Sequence, residues 1–383
     1  MADTMTNSQG AMQENSKRVR YAVVGLGYIA QVAVLPAFKH AQENSEIVAL
    51  VSGDETKRAK LAKKYKVRKT YSYEQYADCL ASGEIDAVYI ALPNSMHRAY
   101  TEGAAASGIH VLCEKPMAGT EQECEAMIDA TSRGKVKLMI AYRLHFERGN
   151  LKAIATIRDG KIGAPRIFHS EFCQQVAAGN TRLRSELCGG PLYDIGIYCI
   201  NAARYLFQAE PEEVFAYAAS KKNDNRFNEV EEMFAALMRF PGDRLAEFVC
   251  SFGTADRSAY EVIGTEGTLK MDPAYEMVGA LKCELTIAGH SQKTTYKKRD
   301  QFGPELIYFS KCVMENTEPE PSGKEGLADV RIIRALLESQ EKNRPVKIPP
   351  VRDLARPSEE QEMYKPPVGK PQLVKAASPN KES

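Results

Sequence analysis

Between residues 19 and 142, short apolar segments alternate with amphipathic segments of ten or more residues. The apolar segments have the length of strands, and the amphipathic ones place apolar residues three or four positions apart, as helices do. Strands that are separated by helices of this length are parallel and buried on both faces. The alternation therefore predicts an α/β domain built on a doubly wound parallel sheet.

After Tyr142 the pattern changes to consecutive alternating strands, separated by turn residues such as Pro241-Gly242-Asp243. Strands of this kind pair in antiparallel fashion, so we predict a second domain of the α+β class. Residues 343–383 hold eight of the nineteen prolines, which excludes a helix or a central strand there. We expect an extended tail that is either disordered or docked on a neighbouring subunit.

These patterns divide the chain into four segments. The first residues are rich in Ser, Asn, Gln and Met and show no period, which is typical of a loose terminus. We expect a flexible arm at residues 1–18, the doubly wound domain at 19–143, the α+β domain at 144–345 and the proline-rich tail at 346–383.

The charges of the chain balance, since 51 Lys and Arg residues stand against 50 Asp and Glu residues. This balance gives no general attraction to nucleic acid or to anionic membranes, and we expect neither as a partner. The nine cysteines include no C-x-x-C pair, and the six histidines include no H-x-x-x-H pair. We therefore expect no metal site and no disulfide framework, which is typical of the reducing cytoplasm.

The segment Tyr21–Phe38 is strongly apolar and follows a cluster of cationic residues. This order of charge and apolar residues also occurs in signal peptides and membrane anchors. However, Gly25, Gly27, Gln31 and Pro36 interrupt the segment, and its first half has the pattern of a strand before a glycine turn. We therefore expect a soluble cytoplasmic protein rather than an exported or anchored one.

The first apolar segment ends in a glycine-rich turn that opens the first helix. Gly25, Gly27 and Ala30 match the pattern G-x-G-x-x-[G/A] in the position that dinucleotide-binding folds require. Gly25 permits the tight turn, Gly27 lets the backbone approach a pyrophosphate, and Ala30 allows close packing of helix against strand. The amino end of the helix offers N–H groups and partial positive charge to the anion. We assign the whole turn to the cofactor, including Tyr28 and Ile29.

The end of the second strand distinguishes NAD from NADP. An Asp or Glu here would accept a hydrogen bond from the ribose 2′-hydroxyl, but the strand ends in Ser52 and Gly53. These two residues, with Lys57 and Arg58, suit a 2′-phosphate, so we predict NADP as the cofactor. Asp54 is the competing acid, although it occupies a helix N-cap position. Alternatively, Lys57 and Arg58 are ordinary solvent-exposed residues on the surface of a helix.

Two short motifs carry candidate catalytic groups. Glu114, Lys115 and a proline follow an apolar strand, and ligands bind at the carboxyl edge of a parallel sheet. Asp194 and Tyr198 lie four residues apart on a helix that Gly189-Gly190-Pro191 introduces, so both face one side. Tyr198 would take the proton of a substrate hydroxyl, with Lys115 favouring its ionised form. From the spacing alone, a buried Tyr with a satisfied hydroxyl and an Asp at a helix amino end are the better explanation.

Several motifs occur together and in a fixed order along the chain. They are the glycine motif, Ala49–Gly53, Ile85–Asn94, Glu114-Lys115-Pro116, Ala141-Tyr142-Arg143, Arg182-Leu183-Arg184 and Gly189–Tyr198. With these motifs the chain resembles the Gfo/Idh/MocA oxidoreductase family, and most closely its glucose–fructose oxidoreductase branch. The resemblance extends over residues 19–345.

The resemblance implies a Rossmann domain followed by a domain with a large, mostly antiparallel open sheet, which often serves for oligomerisation. It implies that Lys115 contacts both the nicotinamide and the substrate hydroxyl, and that Asp194 binds substrate. It also implies that Tyr198 is the acid/base, as in the glucose–fructose branch, at a position where most members of the family carry histidine.

In that branch, the positions that match Ser52, Lys57 and Arg182 hold a tightly bound NADP. Two departures from the branch bear on this expectation. No export signal is seen here, and Thr181 stands where the branch has a tryptophan, in a chain without any tryptophan. The stacking platform for the adenine is therefore expected to be weaker, which counts against permanent retention of the cofactor.

We predict an NADP-dependent oxidoreductase that transfers hydride to or from a sugar or a similar polyol or cyclic carbonyl compound. One alternative is an ordinary NAD(P)-dependent sugar dehydrogenase or reductase with a freely exchanging cofactor. Another is a non-catalytic, NADP-sensing regulatory protein, although such a sensor has no need of Lys115, Asp194 and Tyr198 together. We expect a homo-oligomer, a dimer or a tetramer, that forms through the sheet of the second domain.

The predicted site has a substrate part and a cofactor part. The substrate part contains Lys115, Arg143, Asp194 and Tyr198. Besides the residues of the glycine turn and of the second strand end, the cofactor part contains Leu92, Pro93, Asn94, His97, Glu114, Lys115, Arg143 and Arg182. We expect His97 to line the nicotinamide pocket; the alternative is that it only caps its own helix.

Overall fold

The computed structural model describes residues 18–352 and 354–380 of the chain. The arm expected at residues 1–18 therefore lies almost wholly outside the described residues. Among the described helices, none is long and apolar enough to cross a membrane. The apolar segment Tyr21–Phe38 begins in a buried strand of the first sheet.

The first domain contains a six-stranded sheet in which every neighbouring pair is parallel. Its order is β3-β2-β1-β4-β5-β6, the doubly wound order of a Rossmann fold. The strands are β1 (Val19–Val24), β2 (Ser45–Val51), β3 (Lys69–Tyr71), β4 (Ala87–Ile90), β5 (His110–Glu114) and β6 (Leu138–Ala141). The predicted parallel α/β domain is confirmed.

The helices of this domain begin where the sequence supplies caps. Asp54 accepts a hydrogen bond from the backbone N–H of Lys57, and Thr120 forms a capping box with Glu123. The turn after β1 leads into a π-helical segment, Ala30–Val34, which continues as α1. The helices are α1 (Leu35–Ala37), α2 (Glu55–Tyr65), α3 (Tyr76–Leu80), α4 (His97–Ala106) and α5 (Glu121–Arg133).

The second domain contains, among the described residues, a nine-stranded sheet of order β14-β13-β12-β11-β7-β10-β9-β8-β15. Only β7 and β10 pair in parallel, so the sheet is mixed but mostly antiparallel, as predicted. The strands are β7 (Pro165–Gln175), β8 (Glu213–Ala219), β9 (Met233–Phe240), β10 (Arg244–Ser251), β11 (Gly253–Gly264), β12 (Gly267–Met271), β13 (Leu281–Ile287), β14 (His290–Tyr296) and β15 (Val346–Lys347).

One face of this sheet packs on helices and the other remains open. Along β9 the residues alternate strictly between buried and exposed, so the buried side chains Phe234, Ala236, Met238 and Phe240 share one face. The helices of this part of the chain are α6 (Arg148–Arg158), α7 (Ile197–Phe207), α8 (Phe302–Glu315) and α9 (Gly323–Lys342). Of these, α8 packs on the first domain.

Besides β15 of the tail, three strands were not predicted from the sequence. The short β3 lies at the edge of the first sheet, and its three residues give no recognisable period. The outermost strand of the second sheet, β14, is almost entirely polar and exposed, so it lacks the alternation that marks a half-buried strand. The third, β12, is a short partner of β11 beyond a two-residue turn. In each case the pairing strand, rather than the local pattern, determines the conformation.

The proline-rich tail lies against its own chain, which differs from both expectations for it. Its first residues form β15 on the edge of the second sheet beside β8. Further along, the buried side chain of Gln361 donates a 2.6 Å hydrogen bond to Glu320. Val374 reaches the first domain, where it hydrogen-bonds to Gln31.

A buried ion cluster ties α7 to α9. The guanidinium of Arg204 has no exposed surface and donates to Glu210 at 2.7 Å, to Glu325 at 2.8 Å and to Asp329 at 2.5 Å. Burial raises the pKa of Asp329 to about 7, although the charge of Arg204 acts to lower it. Glu210 has a second cation in Arg356, which donates to it at 2.6 Å, so Glu325 and Asp329 are the buried acids that depend most on Arg204.

We expect the substitution Arg204→Met to lower the free energy of unfolding by about 3–5 kcal/mol near neutral pH, because buried carboxylates lose their cation. The loss should shrink as the pH falls, because a protonated carboxyl group no longer needs the cation. Between the ordinary pKa of Asp329, 3.8, and its folded pKa, about 7, the folded state binds the proton more tightly than the unfolded state does. Denaturant unfolding near neutral pH and two units lower measures both values.

Arg158→Met is the matched control, because Arg158 is exposed and, among the described residues, pairs only with its neighbour Asp159. This control should leave the unfolding free energy unchanged. A loss for Arg204→Met that is the same at both pH values would contradict the electrostatic explanation and indicate lost packing alone.

Candidate active site

The turn between β1 and the first helix is as narrow as the glycine pattern predicts. Gly25 has φ +92°, and its N–H donates to the carbonyl of Val51 at 2.9 Å. A Cβ atom on Gly25 would lie 2.4 Å from the backbone oxygen of Ala91, so no other residue fits between these strands. The turn is therefore held by backbone on both sides.

The same turn is open where a dinucleotide would approach it. A Cβ atom on Gly27 would meet no atom within 4 Å. Tyr28 and Ile29 are partly buried at the start of the helix, and Ala30 is fully buried against the strands. An open backbone followed by a helix amino end fits a pyrophosphate. These residues would hold the cofactor through its phosphates.

The end of β2 carries the residues that we assigned to the 2′-phosphate. Ser52 is 4% exposed, and its backbone oxygen accepts a hydrogen bond from Arg58. Asp54 caps α2, as the sequence indicated, by accepting from the N–H of Lys57 at 3.0 Å. Gly53 lies exposed between them. The four predicted residues therefore lie at the end of β2 and in the first turn of α2, and Asp54 stands between the two pairs.

His97 is the first residue of α4 and is completely buried. Its Nδ1 lies 3.0 Å from the carbonyl oxygen of Pro116, and its Nε2 lies 2.9 Å from that of Leu92. Burial lowers the pKa of His97. The ring therefore joins the loop after β4 to the Lys115–Pro116 loop after β5, and it positions both loops. Its assignment to the cofactor stays a prediction.

A loop of the second domain closes over the same edge of the first sheet. Asn94, which follows Pro93 after β4, donates from its side chain to the carbonyl of Cys188 at 2.8 Å. Arg182 lies in this loop, and its Nε donates to Asp194 Oδ2 at 2.6 Å. The structure thus pairs Arg182 with a substrate-site residue. Its assignment to the cofactor also stays a prediction.

Asp194 lies between two cations. Besides its contact with Arg182, its Oδ1 lies 3.3 Å from the Nζ atom of Lys115, which also donates to the Asp194 backbone oxygen at 2.7 Å. Burial alone would raise the pKa of Asp194, but the charges of Arg182 and Lys115 outweigh it and lower the pKa. Asp194 is therefore a carboxylate at neutral pH, with its orientation determined from both sides.

Tyr198 is positioned by two further contacts. Its hydroxyl oxygen accepts a 3.2 Å hydrogen bond from Nε of Arg143, while the Lys115 ammonium lies 4.8 Å from the centre of its ring. Phe172 packs edge-on against the same ring. The sequence indicated Lys115 as the cation that acts on the hydroxyl, but the structure places Arg143 there and Lys115 over the ring face.

Arg143 is itself held in place by residues that sequence reasoning missed. One terminal nitrogen donates to the side chain of Gln301, and the other donates to the backbone oxygen of Tyr275 at 2.6 Å. Both partners follow the strands of the second domain, far along the chain from Arg143. No local pattern marks them, since Gln301 precedes a helix and Tyr275 resembles an ordinary core aromatic.

Two buried acids lie behind this cluster. Glu114 accepts a 2.9 Å hydrogen bond from Tyr89, and burial raises its pKa. Glu305 of α8 has no exposed surface, and neither of its carboxyl oxygens has a hydrogen-bond partner among the described residues. Burial, and then the charge of Glu114, raises the pKa of Glu305 well above its ordinary value. Sequence reasoning found Glu114 but not Glu305, which is one acid within an amphipathic helix.

Three of the four predicted substrate residues, Lys115, Arg143 and Tyr198, line one small cleft where the two domains meet. The cleft is bounded by Lys115, Ala141, Tyr142, Arg143, Leu144, Ile197, Tyr198 and Asn201. Asp194 borders it through its contacts with Lys115. Within the part of the chain that the structure describes, no three His, Cys, Asp or Glu side chains are placed to bind a metal ion. The arrangement offers a phenol, a carboxylate and three cations, which suits proton transfer at a hydroxyl or carbonyl.

A dinucleotide turn on one side and a hydroxyl-binding acid/base cluster on the other define a nicotinamide-dependent oxidoreductase. Comparison with known proteins agrees with this class. Residues 19–142 match the Gfo/Idh/MocA oxidoreductase family with an NAD-binding Rossmann fold, and residues 150–270 match the C-terminal domain of that family. The chain belongs to the Gfo/Idh/MocA oxidoreductase family.

Individual relatives extend over most of the chain. An NADP-dependent D-xylose 1-dehydrogenase of Haloarcula marismortui is 33% identical over 338 residues, 86% of this chain and 93% of that protein. The structure of an aldose–aldose oxidoreductase from Caulobacter crescentus, in complex with glycerol, is 36% identical with a TM-score of 0.83, and the match covers 87% of this chain and 100% of that one. A 3-ketoreductase from Actinomadura kijaniata shares the fold, with a TM-score of 0.77 at 23% identity over 84% of this chain and 98% of that one.

Proposed function

We propose that this protein is an NADP-dependent oxidoreductase that removes hydride from a CH–OH group of an aldose, or returns it to the matching carbonyl. The observation that carries the proposal is the pairing of the Tyr198 hydroxyl with Arg143 in the cleft that Lys115 and Asp194 border. The relatives named a D-xylose 1-dehydrogenase and an aldose–aldose oxidoreductase support the substrate class.

NADP is the cofactor. The end of β2 carries Ser52 in place of the acid that selects NAD, and Lys57 and Arg58 follow it. The D-xylose dehydrogenase relative is named for NADP. When bound at the glycine turn, NADP supplies the acceptor for the hydride, and the residues of the chain control the proton and the position of the substrate.

In this proposal Tyr198 is the acid/base. Its phenolate takes the proton of the substrate hydroxyl during oxidation and returns it during reduction. Arg143 donates to the same oxygen and so stabilises the phenolate, and Lys115 adds a second positive charge 4.8 Å from the ring centre. Gln301 holds the Arg143 guanidinium in the orientation that this step needs.

Asp194 and its two cations bind the substrate. As a carboxylate it accepts hydrogen bonds from sugar hydroxyls, and Lys115 donates to the hydroxyl that reacts. Because Lys115 already contacts Asp194 at 3.3 Å, a hydroxyl that enters between them replaces a contact that the site makes with itself. Arg182 keeps Asp194 charged and in place during this exchange.

We also propose that the cofactor stays bound between turnovers, so that one aldose is oxidised and a second carbonyl compound is reduced in turn. The likeness to the aldose–aldose oxidoreductase favours this cycle, and Thr181 in place of a stacking tryptophan weighs against it. Protein dialysed extensively should catalyse the exchange of two aldoses without added nicotinamide. Turnover only after addition of NADP would contradict retention and leave the freely exchanging dehydrogenase.

Tyr198→Phe removes the hydroxyl that we assign to proton transfer and keeps the ring. We expect kcat to fall about 10²- to 10⁴-fold, the usual contribution of a positioned acid/base, with the dissociation constant for NADP nearly unchanged. Steady-state kinetics with an aldose, together with cofactor titration, measures both. The variant should unfold at close to the wild-type temperature, because only one hydrogen bond to Arg143 is lost.

Tyr193→Phe is the matched control for this substitution. Tyr193 lies five residues earlier and donates to the backbone oxygen of Gly119 at 2.7 Å, away from Arg143. Its variant should lose some stability and keep kcat. A Tyr198→Phe protein with the wild-type kcat would remove Tyr198 from the mechanism and leave Lys115 or water beside Asp194 as the proton acceptor.

We propose that the open face of the second sheet joins copies of this chain into a homo-oligomer. Exposed apolar side chains from neighbouring strands form this face, and they include Ile167, Tyr217, Leu237, Leu245 and Val249. Among them stand ion pairs such as Arg239–Glu213. An apolar sheet face with interspersed charges is typical of an interface between subunits.

Leu237→Lys tests this interface. In the register of the sheet, Leu237 lies opposite Glu247, so the new cation gains a partner within its own chain while it charges the centre of the face. We expect the variant to sediment as a monomer under conditions where the wild type is a dimer or tetramer. Val278→Lys, an exposed apolar position outside the strands, should keep the wild-type mass. A monomeric wild type would contradict the proposal.

The state of the cysteines bears on the location of the protein. We propose a cytoplasmic protein, because all nine cysteines are free and five of them are fully buried without pairing. Reduced thiols are what the cytoplasm maintains.

A further inference from the structure

The last part of the tail, residues 372–380, runs from the first domain to the second, and we call it the strap. At its beginning the ammonium of Lys64 donates to the backbone oxygen of Gln372 at 3.3 Å. Near its end the N–H of Ala177 donates to the carbonyl of Pro379 at 2.9 Å, next to a bridge between Val176 and Asn380. The strap therefore joins the two domains that enclose the active site.

The strap is anchored beside the glycine turn by a buried side chain. Gln31 follows Ala30 directly and has no exposed surface. Its amide nitrogen donates to the backbone oxygens of Leu26 at 2.9 Å and of Val374 at 3.0 Å, while its amide oxygen accepts from the N–H of Val374 at 2.8 Å. A buried polar side chain with all these contacts satisfied determines one position for the strap.

This anchor places the next residue, Lys375, at the end of β2. Its Nζ atom lies 3.2 Å from Oδ2 of Asp54, two residues beyond Ser52. Lys375 has φ +45°, a left-handed conformation that is unfavourable for a side chain with a Cβ atom. Lys375 therefore contacts Asp54 from a backbone conformation that an unconstrained residue of this type rarely adopts.

Asp54 needs such a partner if the site is to take NADP. A carboxylate at the end of β2 accepts the ribose 2′-hydroxyl of NAD and repels a 2′-phosphate. The N–H of Lys57, and then the ammonium of Lys375, hold the pKa of Asp54 below its ordinary value, so it carries its charge at neutral pH. That charge stands among the residues that we assign to the phosphate.

We propose that Lys375 is a determinant of cofactor specificity that the strap brings to the active site from the end of the chain. Its ammonium neutralises Asp54, so that Ser52, Lys57 and Arg58 present a net positive site to the 2′-phosphate. The strap thereby completes a cofactor site that the first domain alone leaves with an opposing charge. The proposal rests on NADP being the cofactor.

The effect should appear in cofactor discrimination rather than in stability. Lys375 and Asp54 are both partly exposed, and exposed ion pairs contribute little to folding. A phosphate dianion, however, feels the uncompensated carboxylate directly at short range. We expect Lys375→Met to weaken NADPH binding about three- to tenfold and to change NADH binding less than about twofold.

The experiment measures dissociation constants for NADPH and NADH on cofactor-free, full-length protein by the fluorescence of the reduced nicotinamide. Lys375→Arg should keep the wild-type preference, since it keeps the charge. Lys370→Met, in the tail but outside the strap, is the control for general loss of positive charge. A wild type that binds both cofactors equally would refute NADP as the cofactor, which is a separate outcome from the failure of Lys375→Met.

Two further variants test whether Lys375 acts by neutralising Asp54 and whether the strap positions it. Asparagine is as good an N-cap as aspartate, so Asp54→Asn keeps α2 capped and removes the charge. In that background Lys375→Met should no longer alter the ratio of the two dissociation constants. Val374→Pro removes the N–H that Gln31 accepts and should reproduce the loss seen with Lys375→Met, whereas Val374→Ala should not.

Three results would overturn the proposal. The first is an equal weakening of NADPH and NADH by Lys375→Met, which indicates a structural role alone. The second is a loss of the same size in the Asp54→Asn background, which excludes neutralisation of Asp54. The third is a wild-type preference in Val374→Pro, which shows that the strap does not position Lys375.

Discussion

The ion pairs of the Asp194 carboxylate with Lys115 and Arg182 are the contacts on which the order of the candidate active site depends. Lys115 follows β5 of the first domain, whereas Arg182 and Asp194 belong to the second domain. A largely buried carboxylate is costly unless cations and hydrogen bonds compensate it, so the two domains must meet in one arrangement to satisfy it. Tyr198 lies one helical turn beyond Asp194, so the arrangement of the two domains also determines the position of Tyr198.

Arg143 orients the phenol of Tyr198 in a similar way. It belongs to the end of the Rossmann domain, but two of its three donor contacts reach Tyr275 and Gln301 of the second domain. Because a guanidinium is planar and rigid, these contacts leave one direction for the nitrogen that meets Tyr198. Behind it, burial and then the charge of Glu114 raise the pKa of Glu305 well above its ordinary value, which favours the uncharged acid. The cluster thus has its cations close to the candidate catalytic groups and a buried acid of raised pKa behind them.

Much of the fold could be predicted from local patterns because burial imposes them. The parallel strands of the first sheet are continuous apolar segments, and β8 and β9 alternate with a period of two. Of the strands that escaped prediction, β3, β14 and β15 lie at sheet edges, where a strand forms by pairing with a neighbour and needs no apolar face of its own.

For the site, the sequence by itself determined the glycine turn, the N-cap at Asp54, and the residue types Lys115, Asp194 and Tyr198 in motifs of known spacing. These are local properties, since a turn, a cap and a helix face depend on residues within a few positions. Only the tertiary structure decided which cation meets which oxygen. Arg143 and Gln301 are 158 positions apart, and Gln31 and Val374 are 343 apart. Such contacts arise when whole elements pack together, and no periodicity within one element encodes them.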